Sequence, residues 1–227
     1  MVGDDASARR QAHAINFADT AFKKSITTER DLENLRERLL PDGYLTRLPS
    51  RSEPLNTNIE GALVLPLRHF DAGLRLPLWP EYCEILRYFG IVPAQINPNG
   101  IAIIVGFLCY LHEEGVAFDL SVFCKIFAFA ATSEGVVYFS SHVCTLVGTA
   151  NKVHRWRELL VVVKGDFDGV LGRPHQPTDV AFLPPILEGV REQLIESFRG
   201  RWFDAIFWRL NVNTLLEIHS KEGKLGR

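Results

Sequence analysis

The residues able to do chemistry are few and scattered. Cys109 and His112 stand one helical turn apart, and His142 and Cys144 lie downstream. Two cysteines and two histidines are a donor set for tetrahedral zinc. The four cysteines (Cys83, Cys109, Cys124 and Cys144) include no C-x-x-C pair, and all lie in apolar stretches. They read as reduced, buried side chains of an intracellular protein, and no metal ligand is assigned. Asp166 and Asp168 flank Phe167. On a strand they would share a face, and a metal-dependent nuclease needs carboxylates converging on its ions. However, Gly165-Asp-Phe-Asp-Gly169 also has the composition of a tight turn after a strand. Where a calcium loop starting at Asp166 would require an acid at its twelfth position, the residue is Pro177. No Gly-Lys-Ser/Thr phosphate loop and no Gly-x-Ser-x-Gly elbow occurs. The expectation is a protein without catalytic or cofactor-binding residues.

Binding chemistry is better represented. Lys152, His154, Arg155, Trp156 and Arg157 interleave cations with an aromatic ring, as a single-strand nucleic-acid platform would. The competing reading makes Trp156 the anchor of the adjoining apolar segment, with its cations solvated. A second cluster, Arg199, Arg201, Trp202, Trp208 and Arg209, falls at helical spacing. Trp202, Phe203, Ile206 and Leu210 share one helix face while Phe207 and Trp208 point elsewhere. One buried stripe does not accommodate them all, so Phe207 and Trp208 are candidates for a self-association or partner surface.

The whole chain sets limits on these options. Its 227 residues are 47% apolar and 23% charged, enough to build a core and incompatible with general disorder. The formal charge is −2, and residues 151–227 hold 12 basic against 10 acidic groups. Neither balance suits a protein that binds nucleic acid through bulk charge. Ile101 to Leu111 forms the longest apolar run, too short for a membrane span and right for a buried helix. No charged start leading into an apolar stretch marks a secretory signal. The expected location is nuclear or cytoplasmic, away from membranes.

Several elements would position these residues. Residues 1–25 are polar and unpatterned, a flexible leader, and 221–227 a flexible tail, around one globular domain at 26–220. Thr28 with Asp31 opens a helix carrying Leu32, Leu35 and Leu39 on one face, and Pro41-Asp42-Gly43 stops it. Residues 48–61 read as a loop, 61–66 as extended, and 70–77 as a loop into a helix that begins at Pro80 and stops at Gly90. Asn97 and Pro98 open a helix to about Glu113, apolar on nearly every side. Asp119 caps another, with Leu120, Phe123, Phe127 and Ala130 as its stripe. Strands are expected at 135–139 and 159–163. Two helices, 186–198 and 202–219, close the chain. The fold class is α+β, mainly helical, with central buried helices, a small β element and a C-terminal helical pair.

The order of these pieces carries a resemblance. Leu76-Pro-Leu-Trp-Pro-Glu-Tyr-Cys-Glu-Ile-Leu-Arg-Tyr-Phe-Gly90 runs into Gln95-Ile-Asn-Pro-Asn-Gly-Ile101, then the apolar helix with Phe107, Cys109 and Leu111. Next in order are Phe118-Asp-Leu120, Gly135-Val-Val-Tyr-Phe139 and Val153-His-Arg-Trp-Arg-Glu-Leu-Leu-Val-Val-Val-Lys-Gly-Asp166. The series resembles the gypsy-type transposase domain of retrotransposon-derived plant proteins across residues 26–168. His112-Glu-Glu-Gly115 departs from the Cys-Glu and Leu-Gly expected there. The resemblance implies a gag-like or domesticated domain and transfers no catalytic residue. The expected role is structural or in protein–protein interaction. Nucleic-acid binding through Lys152, Arg155, Trp156 and Arg157 is the alternative, and metal-dependent cleavage the remote one.

Overall fold

The computed structural model describes residues 25–50, 61–141 and 153–167. The first helix, α1 (Glu29–Leu39), starts where the sequence places it. Thr28 Oγ1 accepts from the Asp31 amide, and the Asp31 carboxylate accepts from the Thr28 amide, so both orphan donors are met reciprocally. Leu32 and Leu35 turn inward. Next come the strands β1 (Leu45–Arg47) and β2 (Ala62–Pro66), and a short helix α2 (Leu67–Asp71). The sequence does not announce that helix, since Phe70 and Asp71 read as loop. It is a single turn beginning directly behind Pro66.

The helix α3 (Pro80–Phe89) has Pro80 in its first turn and ends on Gly90 at φ 64°, a left-handed position that suits glycine. A 3₁₀ turn (Pro93–Gln95) leads to α4 (Pro98–Glu113). Asn97 Oδ1 caps α4 by accepting from the Gly100 amide at 2.8 Å. From Ile103 to Leu111 every residue of α4 is buried, as an all-apolar helix requires.

The sequence errs in the next element. The helix capped by Asp119 is α5 (Leu120–Ile126), only seven residues long. Phe127 and Ala130, expected on its stripe, lie instead in strand β3 (Phe127–Ala131). β3 pairs antiparallel with β4 (Val137–Ser141), Phe129 opposite Phe139. Phe-Ala-Phe-Ala alternates large and small side chains, so a strand gathers Phe127 and Phe129 on one face where a helix would spread them. The Thr132–Val136 turn closes the hairpin with two backbone bonds, and Gly135 takes φ 76° within it.

A second 3₁₀ turn (Trp156–Glu158) precedes β5 (Leu160–Lys164). The two strands expected from the sequence do not pair with each other. β4 belongs to the hairpin, while β5 is the middle strand of a sheet ordered β1-β5-β2, antiparallel throughout. Alternation along the sheet gives it two apolar faces. Leu63, Leu65, Val161 and Val163 join the main core, whereas Ala62, Val64, Leu160 and Val162 form a second buried cluster. Among the described residues 45% are helical and 20% are in strands, so the class is α+β. The expected C-terminal pair at 186–219, the leader and the tail lie outside the described residues.

The core centres on Phe107. Its ring contacts Phe123 at 5.5 Å and Phe127 at 5.7 Å between centroids, both edge-on. Phe123 continues to Phe139, and Phe139 to Phe89 and Phe129. The hairpin is thereby fixed to α3, α4 and α5 through edge-to-face aromatic contacts.

Candidate functional site

The basic and aromatic segment is partly built into the fold. Trp156 stacks on His69 of α2, with centroids 5.9 Å apart and planes 28° from parallel. His69 is fully buried, and its Nε2 lies 2.8 Å from the Ile96 carbonyl, so Nε2 carries the proton. Burial drives its pKa down to about 3, leaving it neutral. Arg155 Nε binds Glu158 at 2.8 Å, and Arg157 binds Glu134 in the β3–β4 turn. Each of the two guanidiniums is thus engaged by a carboxylate of the same chain. Arg155 holds φ 57°, uncommon for a side chain with a Cβ. Lys152 lies outside the described residues, as do Phe207 and Trp208.

The other chemical candidates do not come together. Cys109 is wholly buried in α4, while His112 on the same helix is exposed. His142 and Cys144 lie outside the described residues. Asp166 is exposed, its carbonyl accepting from the Tyr44 hydroxyl at 3.1 Å, and Asp168 is not described. Among the described residues there is no group of three or more His, Cys, Asp or Glu placed to hold a metal.

A concavity that the sequence does not announce lies between α1 and α2. It is an open groove of about 410 Å³. Leu35, Leu39, Leu67, Phe70 and Leu159 supply apolar lining, and Asp31, Arg38, Arg68, Asp71 and Arg75 the charges. Arg68 Nη1 pairs with Asp71 at 2.9 Å. Asp31 is committed to the Thr28 cap, and hydrogen bonds from the Thr28 backbone and side chain lower its pKa. Arg38 is exposed on α1, one helical turn beyond Leu35.

Arg75 is the unusual member. Only 7% of it is exposed. Its Nη1 donates to the carbonyls of Phe70 at 2.9 Å and Leu74 at 2.7 Å, closing the C-terminal end of α2. Its Nε is buried without a hydrogen-bond partner. Burial lowers its pKa, opposed by the nearby Asp71 charge. The signal in the sequence is a lone cation between leucines, Leu74-Arg75-Leu76, where a buried or ligand-facing arginine belongs.

The architecture defines an α+β domain with a charged groove on its α1–α2 side. Residues 64–131, from β2 through β3, match the family model described as "Putative gypsy type transposon". The chain therefore contains a gypsy-type transposon-related domain, and the match is narrower than the 26–168 span of the resemblance. No curated protein and no solved structure matches the chain. No helix among the described residues is long and apolar enough to cross a membrane.

Proposed function

We propose that the chain is a non-catalytic interaction domain of a retrotransposon-derived plant protein, gag-like in character and working in the nucleus or cytoplasm. The observation that carries this reading is the α1–α2 groove. Its apolar lining is interrupted by the exposed Arg38 and by Arg75, which is largely buried beside Asp71. Apolar ground with arginine set into it is the composition of protein-binding surfaces. Self-association through Phe207 and Trp208 is compatible with the same role. The nucleic-acid reading around Trp156 is weaker, because Arg155 and Arg157 already have internal carboxylate partners.

The test is a photo-crosslinking residue placed at Asn34 in the groove or at Ser133 in the β3–β4 turn. The full chain with either residue is irradiated in cells. Discrete protein adducts from position 34 and none from 133 are expected. Equal adducts from both positions, or adducts mainly with nucleic acid, would refute an interaction groove.

A further inference from the structure

Independently of the groove, we propose that the leader is a covering element of the domain, its residues 14–22 docking as an amphipathic helix on the second face of the β1-β5-β2 sheet. Register puts Ala62 and Val64 of β2 on one face with Leu160 and Val162 of β5. The four are at most 8% exposed and form a cluster of their own. Among the described residues no other hydrophobic side chain packs against that cluster, and the main core lies on the opposite face. Apolar side chains so fully withdrawn from water have a cover. The cover is narrow. Leu45 and Arg47 of β1 share this face, opposite Lys164 and Val162, yet Leu45 is 67% exposed and Arg47 is exposed too. Only the β5–β2 half is covered, two strands about 5 Å apart, a width that one helix about 10 Å across fills.

The chain itself brings the leader to this face. Ser25 Oγ donates to the Leu160 carbonyl at 3.2 Å and accepts from the Leu160 amide at 3.4 Å. The Ile26 amide donates to the Glu158 carbonyl, and Thr27 Oγ1 donates to the Leu160 carbonyl at 2.7 Å. The leader therefore joins the fold at one of the four covered residues, with Lys23 and Lys24 as the link. Although polar on average, it carries a pattern. Ala14, Ile15, Ala18, Ala21 and Phe22 recur at the i, i+3, i+4, i+7 spacing of one helix face, whereas Asn16, Asp19, Thr20 and Lys23 fall on the other. From Ile15 to Phe22 a helix rises about 10 Å. The covered strip, from Leu160 opposite Pro66 to Ala62, is about 13 Å long. Residues 51–60, which lead into β2, have only Leu55 and Ile59 as large apolar side chains, too few for the strip.

The test uses the full chain, with labelled methyl groups and protonated aromatic rings on a deuterated background. Nuclear Overhauser effects from the Val64 and Val162 methyls to Ile15, Ala18 and the Phe22 ring are expected. Contacts instead with the stripe Trp202, Phe203, Ile206 and Leu210, or with Leu55 and Ile59, would overturn the proposal and give the face to that segment. Contacts between differently labelled copies would give it to a second chain, and no contact beyond the cluster itself would leave the leader undocked. Thermal unfolding supplies the second measurement. Phe22→Asp should lower the melting temperature by about 5 °C and shift the Val64 and Val162 methyl signals. Thr20→Asp, on the opposite side of the helix, should do neither. A Phe22→Asp chain indistinguishable from Thr20→Asp returns the leader to a flexible tail.

Discussion

His69 ties the protein's stability to pH. In the folded chain its pKa is pushed down to about 3 by burial, while in the unfolded chain it returns to the ordinary 6.5. Unfolding below pH 6.5 therefore takes up a proton that the native state refuses, so this contribution is complete above 6.5 and declines as pH falls towards 3. Each unit below 6.5 costs about 1.4 kcal/mol, hence about 2 kcal/mol at pH 5. Urea unfolding of the parent and of His69→Gln at pH 7 and pH 5 should show the smaller loss in the variant. Equal losses would put the pH dependence elsewhere. Gln95 is a second buried polar group that the sequence does not reveal. Its Oε1 accepts from the Val92 amide at 2.9 Å, and its Nε2 donates to the Gly135 carbonyl at 3.1 Å. Gln95→Leu would leave both backbone groups unpaired and should cost about 2–4 kcal/mol in thermal or chemical unfolding. His69 and Gln95 are illegible in the sequence for a common reason. A polar residue's burial depends on partners beyond its own element (Ile96 for His69, Gly135 for Gln95), and local pattern does not encode them.

At the scale of elements, the helices are legible in the sequence and the sheet only half so. Thr28, Pro80, Gly90, Asn97 and Asp119 act within one turn of themselves, and each opens, caps or stops the helix that its local pattern indicates. The hairpin is harder, because Phe123 and Phe127 fit helical spacing while Phe127 and Phe129 fit alternation. Pairing with β4 decides the matter. β1 has three residues with only Thr46 partly covered, too little pattern to read, and exists because β5 pairs with it. The helix α4 offers a direct measurement. Phe107 is wholly buried and touches Phe118, Phe123 and Phe127. Phe107→Ala should destabilise the protein by about 3–5 kcal/mol, since edge-to-face neighbours on a packed helix cannot all collapse into the space. A melting temperature near the parent's would mean that α4 is not the centre of the core.

For the molecule as a whole, the strand order β1-β5-β2 makes the family-matched stretch depend on a strand beyond its C-terminal end. Residues 64–131 hold most of the core helices, yet β2 finds its partner only in residues 160–164. A chain ending at residue 150 is expected to lose cooperative unfolding, whereas one ending at 167 keeps the complete sheet and should retain it, as differential scanning calorimetry can report. A sharp transition in the shorter chain would show that the helices and hairpin suffice alone. The same order has a meaning for synthesis. β1 and β2 leave the ribosome about a hundred residues before the strand that joins them, and at the roughly 5–20 residues per second of translation they wait several seconds with open edges. Two open edges in a nascent chain invite pairing with other chains, a hazard that crowding of many copies on one messenger would sharpen. Slow codons ahead of β5 would lengthen that exposure and fast ones shorten it, making aggregation of this protein sensitive to changes that leave its amino acids untouched.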